Sequence, residues 1–405
     1  MADPNQRSPL GFGTRAIHAA TTPPTVDQAP QAIPIFQSAT FAAEDAAELG
    51  DILGDRQPGY AYARIDNPTA AALSAAVAEL EGAEAAYSLG SGMAAIFGAV
   101  ASVVKAGDRI VSTNAVYGST RNLFANVMSR FGVETTFVDP TDHAAVEAAL
   151  TAEPRATLLY LETISNPTIV VADLAGLADL AHQHGTTVIV DNTFASPYLC
   201  RPLELGADLV VESATKWLGG HSDVIGGVVA GSHERIAAVK ALQIDLGGII
   251  APFSAFLILR GIQTLHVRMD RHSQTALTLA RYLEAQDGVR AVFYPGLSSH
   301  PQALVAQRLL RAGGGMLAFD LGNRRSAATF LDTLRLPART ASLGATLTIA
   351  VHPPSTTHRQ FSDAELTESG ILPGLVRVSV GLEDAEDLIA DIAAGLQAAR
   401  SAVPA

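Results

Sequence analysis

The sequence predicts an α/β protein whose main sheet is largely parallel and covered by helices on both faces. Short runs, DRIVST, ETTFVD, ATLLYLET, TTVIVDN and DLVVESA, recur between stretches of helical period. These runs are apolar rather than alternating, as a strand buried on both faces requires. Strand and helix alternate along the chain, which points to a parallel sheet with right-handed crossovers. With 405 residues, 48% of them hydrophobic and 17% charged, the chain can fill a large core spread over two or three structural units.

Residues 1–55 are rich in Pro, Thr and Ala without steady periodicity and read as an arm packed on something else, such as a second subunit. Residues 56–255 carry the alternating pattern and are expected to form a large domain. Within it, TAAALSAAVAELEG (69–82) predicts an Ala-rich helix with a capping threonine. SGMAAIFGAVASVVKAG (91–107) predicts a second helix, apolar nearly all round and therefore buried. From 256 to 405 the pattern changes. A long helix from Ser254 to about Glu284 leads to fewer, more separated strands, among them MLAFDL and LVRVSVGL, which predicts a smaller C-terminal α+β domain. There is no tandem repeat and no low-complexity linker.

A net charge of −13 argues against nucleic acid or an anionic membrane surface as the main partner. The opening MADPNQRSPLGFGTRAIHAA lacks the apolar segment of a signal peptide, and no apolar stretch is long enough to span a bilayer. The single cysteine, Cys200, cannot form an intrachain disulfide and fits a reducing cytoplasm as a small packed residue. The histidines show no metal-ligand spacing with Cys or Asp, so no metal is expected.

In an open α/β sheet the site lies at the carboxyl ends of the strands. Four groups fall there. In AAYSLGSGMAAI a strand, a Gly-rich turn and a helix start offer backbone N–H groups to a phosphate. Asp191 ends the strand VIVD, and Glu162 and Asn166 follow another in ETISNP. In SATK, Ser213 and Thr215 flank Lys216. Pyridoxal phosphate needs a lysine for its Schiff base, an acid for its ring nitrogen and donors for its phosphate. GSGMAA also fits a dinucleotide fingerprint, but the next strand runs into Asn114 rather than an acidic residue, which leaves a nicotinamide oxidoreductase as a minor alternative. A catalytically silent relative of the fold is another.

The chain resembles the pyridoxal-phosphate enzymes of cysteine and methionine metabolism: cystathionine γ-synthase, cystathionine γ-lyase, methionine γ-lyase and O-acetylhomoserine sulfhydrylase. The resemblance is carried by YARIDNPT, LGSGMAAI, VYGST, ETISNPT, VDNTFASPYLCRPLELGADLVVESATKWLGGHSD, ILRGIQTLHVRMDRH, HPPSTTHR and VRVSVGLED, and covers almost the whole chain. It implies an aspartate-aminotransferase-like fold (fold type I) and a homotetramer built from tight dimers.

It also implies roles. Lys216 is the expected Schiff-base lysine and proton carrier, Asp191 the partner of the pyridinium nitrogen, and Tyr117 the residue that stacks on the ring and assists the leaving group. Gly92, Met93, Ser213 and Thr215 are expected at the phosphate, joined by Tyr62 and Arg64 from the neighbouring subunit. Asn166 is placed near the cofactor's phenolic oxygen. Arg377 grips the substrate carboxylate, with Ser342 beside it, and Leu347 lies toward the γ side of the substrate. Three positions depart from the resemblance. Ser119 stands where methionine γ-lyases have cysteine, Glu212 where the family has histidine, and Leu347 where it has glutamate or lysine. The expected activity on a small amino-acid substrate is γ-replacement on an activated homoserine, with γ-elimination as the alternative.

Overall fold

A computed structural model describes residues 30–401. The apolar runs become strands of one seven-stranded sheet: β1 (Ala85–Leu89), β2 (Arg109–Thr113), β3 (Glu134–Val138), β4 (Ala156–Glu162), β5 (Thr187–Asp191), β6 (Leu209–Glu212) and β7 (Gly227–Gly231). Their order is β1-β7-β6-β5-β4-β2-β3, parallel except for β7, which runs antiparallel to β1 and β6. The absence of alternation has a direct cause. Leu158 and Tyr160 of β4 enter the core on one face, while Leu159 and Leu161 enter the core on the other. β7, with the sequence GVVAG, went unpredicted because a short run bounded by glycines resembles a turn.

The register sets the site. Glu162 of β4 pairs with Asp191 of β5, and Asp191 with Val211 of β6, so three parallel strands end side by side. A second sheet, all antiparallel, has the order β10-β11-β9-β8, with β8 (Ala291–Phe293), β9 (Met316–Asp320), β10 (Ile349–Val351) and β11 (Leu375–Ser379). Phe319, Val376 and Val378 share a core there with Leu388, Ile392 and Leu396 of the helix Ala385–Ser401. β8 and β10 are three-residue strands, too short to give a periodic signal.

The helices depart from expectation at their ends. The first, expected over 69–82, spans Pro68–Glu81 and is capped by Asn67, which accepts from Thr69 N–H at 2.9 Å. Thr69 instead accepts from Phe36 N–H at 3.0 Å. Asn before Pro is the stronger start, since Asn is a favoured cap and Pro suits the first helical position. The next helix is Gly92–Ala101, capped by Ser91, and stops short of the expected 107. The long helix expected from Ser254 to Glu284 is two helices, Pro252–Ile262 and Leu265–Glu284. At the break, the Gly261 carbonyl accepts from Arg268 Nη2 at 2.7 Å, and Gly261 packs flat on the Leu218–Gly219 backbone. Of the arm expected over residues 1–55, residues 1–29 lie outside the described residues. Among the described residues, no helix is long and apolar enough to cross a membrane.

Candidate active site

Where β4, β5 and β6 end, their polar groups are tied to one another. Asp191 is buried. Its Oδ1 accepts from Thr193 N–H at 2.9 Å and its Oδ2 from the Tyr160 hydroxyl at 3.2 Å. Burial pushes this carboxyl above its ordinary range, and the Thr193 and Tyr160 bonds pull it back. Thr193 Oγ1 accepts from Ser213 N–H at 2.8 Å, joining the end of β5 to the end of β6. Glu162 accepts from the N–H groups of Tyr117 and Asn166, both at 2.8 Å, and so fixes two cavity turns with one carboxylate. Burial, then Asp191, pushes Glu162 well above the usual range.

The Lys216 turn is closed by backbone bonds from Lys216 N–H to Ser213 O (3.0 Å) and from Gly220 N–H to Lys216 O (2.7 Å). Beneath it the buried Arg268 donates to Trp217 O at 2.8 Å. Above it lies Gly344 at φ +78°, where a Cβ would come within 2.8 Å of Trp217 N. This close approach brings in Ser342, whose Oγ accepts from Lys216 Nζ at 3.1 Å. Burial, then the charge on Arg377, pulls the lysine down to about 8.

Arg377 comes from β11 and is 2% exposed. It donates to Asn166 Oδ1 (2.7 Å) and Ser342 O (3.0 Å), while its Nε has no partner. Among the described residues no carboxylate pairs with it, and burial lowers it to about 10. A buried, forked cation without an acid is suited to a carboxylate ligand.

On the opposite side, Ser91 Oγ accepts from Ala94 N–H at 3.1 Å, leaving Gly92 and Met93 N–H at the helix start without intrahelical partners. A Cβ on Gly92 would lie 2.7 Å from Ser213 Cβ, so only glycine lets this helix start meet the end of β6. Thr215 Oγ1 exchanges 3.1 Å bonds with Gly226 N–H and O, which holds the lysine turn from below.

One cavity of about 600 Å³ takes in Gly92, Met93, Tyr117, Asn166, Asp191, Ser213, Thr215, Lys216, Ser342 and Arg377. Three expected residues do not line it. Tyr62 and Leu347 are each 42% exposed, and Arg64 donates to Ile244 O with its guanidinium 5.5 Å from the Tyr62 ring centre. Sequence reasoning gave no part to Tyr160, Thr193 or Arg268. A tyrosine inside the apolar run ATLLYLE was the available signal for the first, since a buried hydroxyl needs a partner.

A low-lying amine, a strand-end acid and free N–H groups at a helix start fit pyridoxal phosphate. Lys216 would hold its aldehyde carbon, Asp191 its ring nitrogen, and Gly92, Met93 and Ser213 its phosphate. When bound, the group supplies an electron sink for charge developing at the substrate's α carbon.

Residues 13–397 match the model of the Cys/Met metabolism PLP-dependent enzyme family. An L-methionine gamma-lyase of Porphyromonas gingivalis is 44% identical over 390 residues, covering 95% of this chain and 97% of the relative. An O-succinylhomoserine sulfhydrylase of Pseudomonas aeruginosa is 40% identical over 365 residues, covering 90% of each. The solved structure of a putative O-acetylhomoserine (thiol)-lyase from Campylobacter jejuni, which carries a pyridoxyl-lysine phosphate, superposes with a TM-score of 0.87 at 29% identity, covering 90% of this chain and 95% of that one. The chain therefore belongs to the Cys/Met metabolism PLP-dependent enzymes, with their fold type I architecture and a chemistry of γ-elimination or γ-replacement.

Proposed function

We propose that the protein catalyses γ-replacement on an activated homoserine, O-acetylhomoserine with sulfide or a thiol, in sulfur amino-acid metabolism of the cytoplasm. The observation that carries this is the cavity wall beyond Tyr117. Ser119, Asn122 and Gln360 line it. These hydrogen-bonding side chains, with the Arg359 cation beside them in the lining, suit an acyl ester better than a thioether. Arg377 holds the α-carboxylate, with Asn166 and Ser342 fixing the guanidinium. Lys216, whose amine is freed of its proton near pH 8 rather than 10.5, moves the α proton, and Tyr117 meets the γ-leaving group from the cavity mouth. Asp191, fixed by Thr193 and Tyr160, aims its carboxyl at the ring nitrogen.

Tyr62 and Arg64 complete the phosphate site of a neighbouring subunit in a homotetramer, which accounts for their place outside this chain's own cavity. We take residues 56–255 and 256–405 as the two domains, one around each sheet.

A γ-elimination reading is favoured by the relative at 44% identity named L-methionine gamma-lyase. Product analysis on O-acetylhomoserine with sulfide, methionine and cystathionine in parallel decides between them. Homocysteine formed from the ester without matching ammonia release is the expected result. Ammonia and a 2-oxo acid formed fastest from methionine would overturn it.

A further inference from the structure

Behind Asp191 two carboxyls meet, and among the described residues no cation pairs with either. Glu81, the last residue of the helix Pro68–Glu81, is 0% exposed, and Glu212, the last residue of β6, is 3% exposed. Glu81 Oε1 accepts from Asn192 Nδ2 at 3.0 Å. Asn192 also donates to Cys200 O at 2.9 Å and accepts from Thr163 Oγ1 at 2.8 Å. Glu81 Oε2 and Glu212 Oε1 are buried without a conventional partner, and the two carboxyls lie within hydrogen-bonding reach of each other.

Two ionised carboxylates cannot share such a site, whereas one proton between them gives a strong charge-assisted bond. The charges around the pair do not relieve the conflict. Asp191 faces Glu212, and Glu204 and Arg201 face Glu81, with Arg201 already paired to Glu204 at 3.1 Å. The buried Cys200 thiol beside them is pushed up by burial and then by Glu81, so it brings no charge of its own.

The pair is placed to matter to the cofactor. Asn192 follows Asp191 in the chain, and Glu212 precedes Ser213 of the phosphate cradle. We propose that Glu81 and Glu212 hold one proton between them, with Glu212 as donor, and act as a positioning pair that fixes the ends of β5 and β6 against the helix Pro68–Glu81.

The pH dependence follows. Burial, then Glu81, pushes Glu212 well above its ordinary value of 4.5. A carboxyl raised in the folded state lends stability that is complete below its ordinary value and is lost as pH rises through its folded value. The wild-type cradle should therefore loosen with rising pH. Glu212→Gln keeps the donor without the titration and should not loosen.

The test uses the full chain saturated with pyridoxal phosphate. Between pH 5 and pH 9 the wild-type melting midpoint is expected to fall about 2–4 °C further than that of Glu212→Gln. Cofactor release at pH 9 should be several-fold faster in the wild type. In the infrared, the protonated-carboxyl absorption at pH 8, to which Glu162 also contributes, should lose one component in Glu212→Gln and keep it in Glu81→Gln. Parallel melting curves, or a band unchanged by Glu212→Gln, would overturn the proposal. The infrared arm stands whichever γ-substrate is turned over, so failure of the substrate reading leaves it intact.

Discussion

On the large-sheet wall of the cavity, the polar groups of β4 and β5 are matched before any ligand arrives: Asp191 by Thr193 and Tyr160, Glu162 by the N–H groups of Tyr117 and Asn166. The small-sheet wall differs. Arg377 is as deeply buried, yet among the described residues its Nε has no partner and no acid neutralises it. One wall is preorganised by its own chain, and the other keeps a charge open to a partner from outside. That difference suits the first wall to a resident cofactor and the second to an anionic substrate that enters and leaves, because an uncompensated buried charge binds an anion far more strongly than a satisfied one.

The largest expected effect falls on Lys216. Lys216→Ala should lower turnover by at least about four powers of ten while leaving the melting midpoint nearly unchanged, since the large-sheet wall is held by bonds that do not involve the amine. Unfolding of this variant at ordinary temperature would break the comparison by making the lysine part of the scaffold.

Next comes Arg377→Met. The specificity constant for the amino-acid substrate should fall about a hundredfold or more. The cofactor-free protein should melt at or above the wild-type temperature, because an unpaired buried charge has been removed. A drop of several degrees would show that Arg377 is as much structural as the opposite wall.

A smaller effect separates the walls by pH. Because Lys216 sits at about 8 rather than 10.5, uptake of pyridoxal phosphate by the cofactor-free protein should fall about tenfold per pH unit below 8 and level off above it. The sign for stability is the same: the contribution of the neutral amine is complete above 10.5 and is lost as pH falls through about 8. A stopped-flow pH profile that keeps rising to 10.5 would show an undisturbed lysine.

Subunit mixing asks whether the cofactor wall is complete in one chain. Arg64→Ala and Lys216→Ala subunits, each inactive alone, should recover up to about one quarter of wild-type activity after random exchange, since half the dimers are hybrids with one intact site. No recovery in exchanged hybrids would build the site from one chain. The smallest effect is expected at Leu347, which lies outside the cavity lining. Leu347→Glu should move the ratio of specificity constants for O-acetylhomoserine and cystathionine by less than about threefold. A tenfold swing would place this side chain against the γ end of the substrate.

Much of the cofactor wall was legible in the sequence because its signals are local. An apolar run ending in Asp191, a Gly-rich turn opening a helix at Gly92, and Lys216 a few residues past the end of β6 are each set by neighbours within a few positions. The parallel class follows from the same runs, since strands buried on both faces show no alternation. Even so, the cap at Asn67 and the break before Leu265 were missed. One depended on which of two adjacent polar residues met the helix, and the other on Arg268 reaching back to Gly261.

What only the tertiary structure decided is which distant groups face each other. Arg377 meets Asn166 across 211 positions and Lys216 meets Ser342 across 126, because the second sheet packs over the strand ends of the first. Glu212 shows the limit most plainly. By sequence it is an unexplained acid before SATK, and only folding sets it against Glu81 in a site closed to water. Periodicity and capping are fixed by bonds a few residues long, whereas charge and protonation depend on whatever the fold brings within a few ångströms.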